Sequence, residues 1–236
     1  MSACKLCKQD RTLRRSHIVP EFLYKDLYNE IHQMMGINGS GKLGWRPLQK
    51  GLREELFCDD CEKLFNDNYE KPFLEFWKNS NPIPAKLKPN QVFRLDVPSY
   101  EIFKLFHLSI LFRASVSTLS TYREASISKK YEERLREMIL NKDPGDPWEF
   151  LIFGYMLIHH ETYLPMPIIS QPFRCRLSGH RCIGMIYAGI EWRITIVSHR
   201  LKDIEKAALQ PDKFMPVIAI LWNEHEIIKA ANRALN

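Results

Sequence analysis

Two short cysteine pairs constrain this chain more than anything else in it: Cys4-x-x-Cys7 near the start and Cys58-x-x-Cys61, with 50 residues between them. A two-residue gap turns the backbone on itself, so each pair can offer both sulfurs to one ion. Two such pairs complete the four thiolates of a tetrahedral zinc site. A chain of 236 residues that is 45% hydrophobic can bury a core without such a staple. The N-terminal MSACKLCKQDRTLRR lacks the apolar run of a secretory signal or anchor. The most apolar helical stretch, Leu105 to Phe112, contains His107 and Ser109 and falls well short of the roughly 20 apolar residues a bilayer span needs. A cytoplasmic protein without membrane contact is expected. In a reducing compartment, spaced cysteines are metal ligands more often than disulfides.

Residues 1–80 read as one module. Pro20 opens a predicted helix over EFLYKDLYNEIHQMM, with Phe22, Leu23, Leu27 and Ile31 at helical spacing and Gly36 after its end. WRPLQKGLREELF then reads as an extended strand arriving at Cys58. A second helix starts there, with Leu64, Phe65, Tyr69 and Phe73 on one stripe and Pro72 kinking or dividing it. Residues 81–97 form a proline-rich linker and a strand, QVFRLDV. Residues 98–236 form a helical and β-hairpin domain: a buried helix capped by Ser99, an amphipathic helix over SISKKYEERLREMILN, an antiparallel β-meander from Glu149, and a last helix over NEHEIIKAANRAL. The expected class is α+β.

Nine residues after Cys7 stands Ser16-His17-Ile18-Val19-Pro20. A cysteine knuckle, a histidine followed by two aliphatics and a proline, and a second knuckle that opens a helix together resemble the zinc-bearing HNH endonucleases with their ββα-metal, treble-clef core. The likeness covers about residues 4–75. It implies that Cys4, Cys7, Cys58 and Cys61 hold a structural Zn2+ and that His17 is the general base of a phosphodiester hydrolysis. It also implies a separate hydrolytic metal, Mg2+ or Mn2+. A neutral imidazole suits the proton-accepting role at cellular pH. Where that family commonly has a metal-binding aspartate before the histidine, this chain has Ser16. After the last cysteine, where His or Asn is usual, it has Glu62, an oxygen ligand for a hard cation. On a helix, Glu62, Asn66 and Glu70 would share one face, with Glu62 and Asn66 as candidate ligands.

Charge adds a partner. The net +6 is unevenly placed: residues 1–80 hold 13 basic and 12 acidic side chains, and residues 81–236 hold 21 and 16. Between Ser170 and Lys202 six basic residues, among them Arg174, Arg176 and Arg181, face one acid, Glu191. That region is the expected phosphate-tracking surface. Arg14 and Arg15 either hold a phosphate beside His17 or form a solvated pair. DNA is favoured over RNA through the resemblance alone, and the C-terminal region can also take a protein partner. Cys175 and Cys182 read as core residues. GINGSGKL, Gly36 to Leu43, misses the phosphate-loop pattern by placing Leu43 where Ser or Thr belongs. The rival reading is a non-catalytic, zinc-stabilised nucleic-acid-binding or protein-interaction module.

Overall fold

The computed structural model describes residues 2–28, 34–36, 46–48, 51–80 and 82–225. Strand β1 (Ser2–Ala3) pairs antiparallel with β2 (Asp10–Arg11) and closes the first knuckle. Lys8 N–H donates to the Cys4 carbonyl there, and Lys8 sits at φ 61°. Strand β3 (Leu13–His17) follows and pairs antiparallel with β6 (Arg53–Cys58), which runs directly into helix α1 (Asp59–Phe65). The register jumps from Arg14↔Phe57 to Arg15↔Glu55, so Leu56 is an extra residue in a β-bulge. Its carbonyl accepts from Lys5 N–H at 3.0 Å, which fastens the first knuckle to the strand pair.

Between β3 and β6 the predicted helix over 21–35 is replaced by a 3-10 turn, Glu21–Leu27, and by β4 (Met34–Gly36), which pairs antiparallel with β5 (Arg46–Leu48). Phe22 still packs on Phe73 and Phe106, so its apolar spacing is used, over a shorter element. The β4–β5 pairing is non-local and leaves no mark in a local 3.6-residue pattern. The expected single strand reaching Cys58 is two strands. Gly51 between them takes φ +64° against the Tyr24 ring, a backbone conformation suited to glycine.

After α1 a π-helical turn (Asn66–Glu70) leads into α2 (Lys71–Asn79), with Lys71 N–H reaching back five residues to the Asn66 carbonyl. Pro72 then falls in the first turn of α2, directly after the π turn. Strand β7 (Val92–Asp96) precedes the long helix α3 (Tyr100–Val116), whose Ser99 Oγ accepts from Ile102 N–H at 3.2 Å as the expected cap. A 3-10 turn (Ser120–Ala125) joins it to α4 (Lys129–Asn141), and strands β8 (Ile152–Ile158), β9 (Phe173–Leu177), β10 (His180–Tyr187), β11 (Ile190–Thr195) and β12 (Phe214–Leu221) follow.

The class is α+β, and the sheet is mixed where a pure antiparallel meander was expected. Six strands run in the order β7-β12-β8-β11-β10-β9, with β12 parallel to β8 and every other pairing antiparallel. Only β9, β10 and β11 form consecutive hairpins. Strand β7, from the stretch read as linker and strand, is an edge of this sheet. One sheet face lies on α3, where Trp192 and Tyr187 meet His107 at ring distances of 4.1 and 5.7 Å. Phe73 of α2 stacks on Phe106 from the opposite side at 3.7 Å. Helix α3 is therefore buried almost all round, and one apolar cluster runs from Cys4 to Ala219. Leu201 and Ala208 cover Leu151 and Phe153 on the other sheet face. Of the last predicted helix, Trp222–Glu224 forms a 3-10 turn and residues from 226 lie outside the described residues. Among the described residues, no helix is long and apolar enough to cross a membrane.

Candidate functional site

The ligating atoms of Cys4, Cys7, Cys58 and Cys61 all lie within 4.8 Å of one another, close enough to hold a metal ion. Zinc–sulfur bonds of about 2.3 Å at tetrahedral angles give sulfur–sulfur edges of roughly 3.8 Å. Cys7 Sγ stands 3.8 Å from Cys58 Sγ. Cys4, Cys58 and Cys61 are buried and Cys7 is half-buried. Cys58 N–H points at Cys4 Sγ at 3.4 Å. A hydrogen bond from the Cys61 thiol draws Cys4 down to about 4 against the opposing effect of burial, and the same bond drives Cys61 up. Four sulfurs crowded this way must share protons or a cation, and a divalent metal satisfies all of them.

The second knuckle opens α1, which carries Glu62 back against β3. Glu62 Oε1 accepts from Ser16 Oγ at 2.5 Å, and Ser16 is fully buried. Burial pushes the Glu62 carboxyl above its ordinary range, opposed by the Ser16 hydroxyl and the Arg113 guanidinium. Arg113, 2% exposed, donates through Nη1 to Glu70 Oε1 at 2.7 Å and to the His17 carbonyl at 3.2 Å, and its guanidinium lies 4.9 Å from the centre of the Phe65 ring. Glu54, opposite Ser16 in the strand pair, accepts from the Ser117 and Thr118 hydroxyls at 2.6 and 2.5 Å. Asn66 sits one turn beyond Glu62, exposed, with its amide on Asp67. The π turn then carries Glu70 to Arg113, so the expected stripe of Glu62, Asn66 and Glu70 is dispersed.

His17 faces the other way. Adjacent strand residues point to opposite faces, and here Ser16 meets Glu62 while His17 Nε2 accepts from Arg53 Nε at 2.7 Å. Glu21 Oε2 approaches both, 3.6 Å from Arg53 Nη2 and 3.8 Å from His17 Nε2, too long for hydrogen bonds. Arg53 is directly opposite His17 in the β3–β6 register.

No family model, curated protein or solved structure matches this chain. Its functional reading therefore rests on its own geometry.

The arginines divide. Arg14 forms a two-pronged pair with Asp59 at 2.5 and 2.7 Å, and Arg11 pairs with Asp60, both acids lying in the first turn of α1, where the helix dipole favours them. Arg15 is exposed, and its side chain has no ion pair or hydrogen bond among the described residues. Arg176 and Arg181 are exposed and directly opposed on β9 and β10. Arg174, two residues from Arg176, pairs with Glu124 at 3.5 Å. Cys175 and Cys182 also face one another across these strands, Cys182 buried and Cys175 half-buried. The glycine-rich residues 37–43 lie outside the described residues. Arg53, Glu21 and Arg113 were not singled out from the sequence. Arg113 directly follows the apolar run Leu105 to Phe112, a charge at the end of the most apolar helical stretch, whereas Arg53 is set apart only by the strand register.

Proposed function

We propose that this chain is a metal-dependent, HNH-type endonuclease hydrolysing DNA, with RNA the alternative substrate, and that Zn2+ held by Cys4, Cys7, Cys58 and Cys61 is structural. The observation that carries this reading is the 2.5 Å contact between Glu62, on the helix opened by the second knuckle, and Ser16, the neighbour of His17. A cysteine clamp, two antiparallel strands and a helix thus place a carboxylate and a histidine around the end of one strand. His17 is the last residue of β3, so its ring stands at the strand end. It takes the proton of the attacking water. Glu62 would hold the divalent ion that offsets the charge of the pentacovalent phosphate. Among the described residues no second group of three His, Cys, Asp or Glu ligands exists, so a hydrolytic ion would reach Glu62 with substrate phosphate and water as further ligands. Arg15 supports the bound phosphate backbone, and Arg174, Arg176 and Arg181 track it further along the molecule.

Supercoiled plasmid and RNA incubated with Mg2+ or Mn2+ test this directly. Cleavage that stops with chelator and in His17→Ala is expected. A wild-type rate equal to that of His17→Ala in every metal refutes it. Two observations favour the non-catalytic rival: Ser16 is a poor ligand, and a guanidinium covers Nε2 of the proposed base. The rival retains nucleic-acid binding that falls steeply with salt and shows no metal-dependent product.

A further inference from the structure

We infer that Arg53 is a substrate-phosphate ligand that caps His17 in the free protein, and that a nucleic-acid phosphate draws its guanidinium away and uncovers the histidine. The inference rests on the nuclease reading for its purpose and on the strand-pair geometry for its substance. Arg53 Nε–H donates to His17 Nε2 at 2.7 Å, so that nitrogen is a lone-pair acceptor and the imidazole is neutral at Nε2. Among the described residues the cation has no carboxylate in hydrogen-bonding contact, since Glu21 stands 3.6 Å away. A neutral imidazole is a weaker partner for a guanidinium than an anionic phosphate, which it can bind through two parallel N–H···O bonds.

Placement supports the exchange. Arg53 and Arg15 lie on the His17 side of the β3–β6 pair, Arg53 directly across from the histidine and Arg15 two residues along its own strand, about 7 Å away. The Arg53 side chain is 30% exposed and that of His17 is 20% exposed, so an incoming phosphate reaches both from solvent. Arg14, the sequence-based candidate for this task, is spent on Asp59. The second guanidinium beside the histidine is Arg53. No bond is made or broken in the exchange: a donated N–H moves from a ring nitrogen to a phosphate oxygen, and the lone pair it leaves is the one the nuclease reading requires.

Two measurements on the full, zinc-loaded chain, without added Mg2+ or Mn2+, test the inference apart from cleavage. The first is the affinity for a short DNA duplex as a function of salt. Arg53→Gln is expected to weaken binding about tenfold and to lower the slope of log K against log salt by about 1, with Arg53→Lys retaining that slope. The second is two-bond 1H–15N NMR of the His17 ring. The duplex is expected to move the wild-type Nε2 signal to the position it holds in duplex-free Arg53→Gln. A slope unchanged in Arg53→Gln, no duplex binding by the wild type, or an Nε2 signal indifferent to both the substitution and the duplex overturns the inference. If the exchange is seen and no metal supports cleavage, Arg53 stands as a phosphate ligand and the nuclease reading falls.

Discussion

Arg113 is the point at which the long helix grips the strand–helix unit, and replacing it with Met should be the most damaging single change near the site. Methionine keeps an unbranched apolar stem over Phe65 and removes the cation. Glu70, whose side chain is 19% exposed, then loses its 2.7 Å partner, and the His17 carbonyl loses a donor at 3.2 Å. Breaking a buried ion pair by removing one partner costs about 3–5 kcal/mol. The remaining exposure of Glu70 argues for the lower part of that range, and loss of the donor to the His17 carbonyl adds about 1 kcal/mol. With an unfolding entropy of about 2.1 cal/mol/K per residue, a 236-residue chain loses roughly 2 °C of Tm per kcal/mol, so a fall of about 8–10 °C is expected. Denaturant unfolding of the metal-loaded protein checks the free energy directly. In the Glu70→Gln/Arg113→Met double variant no uncompensated carboxylate remains, so the double should be more stable than the sum of the two single losses predicts, by about 2 kcal/mol. Additive losses, or a single loss below about 1 kcal/mol, would show that the pair is not an energetic link.

The remaining expectations concern the metal, a buried lysine and a covered glycine. Protein purified without chelator should carry close to one equivalent of zinc by elemental analysis. Cys58→Ser should lose it together with several degrees of Tm, and a metal-free wild type of unchanged stability would contradict the four-sulfur site. Burial lowers Lys104 to about 8 despite the attraction of Glu149, so between pH 8 and 10.5 the unfolded chain binds more protons than the native one and stability should rise with pH. Below pH 8 the cost is fully present, about 3 kcal/mol, and the difference in unfolding free energy between wild type and Lys104→Met should show that slope; a pH-independent difference would refute it. Gly184 lies under the Phe173 ring of edge strand β9, and an added Cβ would penetrate that ring, so Gly184→Ala should cost about 1–3 kcal/mol and speed amide exchange in β9 before β11. Equal protection in both strands would place the strain elsewhere.

What could be read from the sequence follows the range of the forces involved. The two cysteine pairs, the Ser99 cap and the apolar run of α3 are local patterns, and each corresponds to an observed feature. The helix expected over 21–35 was lost to a pairing between residues 34–36 and 46–48 that no local periodicity encodes. The division of the second helix was visible in Pro72, but its form, a π turn that moves Glu70 to Arg113, depends on a guanidinium arriving from α3. The parallel contact of β12 with β8 is equally non-local. The same limit applied to the site. The place of Glu62 after Cys61 makes it a candidate from sequence alone, whereas only the strand register sets Arg53 opposite His17.

That register also explains why the site has two faces. Without the bulge at Leu56, Arg15 would pair with Leu56 and Ser16 with Glu55, and the charged and apolar residues of β6 would exchange sides. With it, Leu56 and Phe57 are both buried although adjacent, and Glu54 is placed against Ser117 and Thr118. Ser16 with Glu62 and Arg113 with Glu70 pair on one side, while His17, Arg15 and Arg53 lie on the other. The nuclease proposal requires His17 and Glu62, on opposite faces, to serve one reaction, which only a strand end allows, and β3 ends at His17.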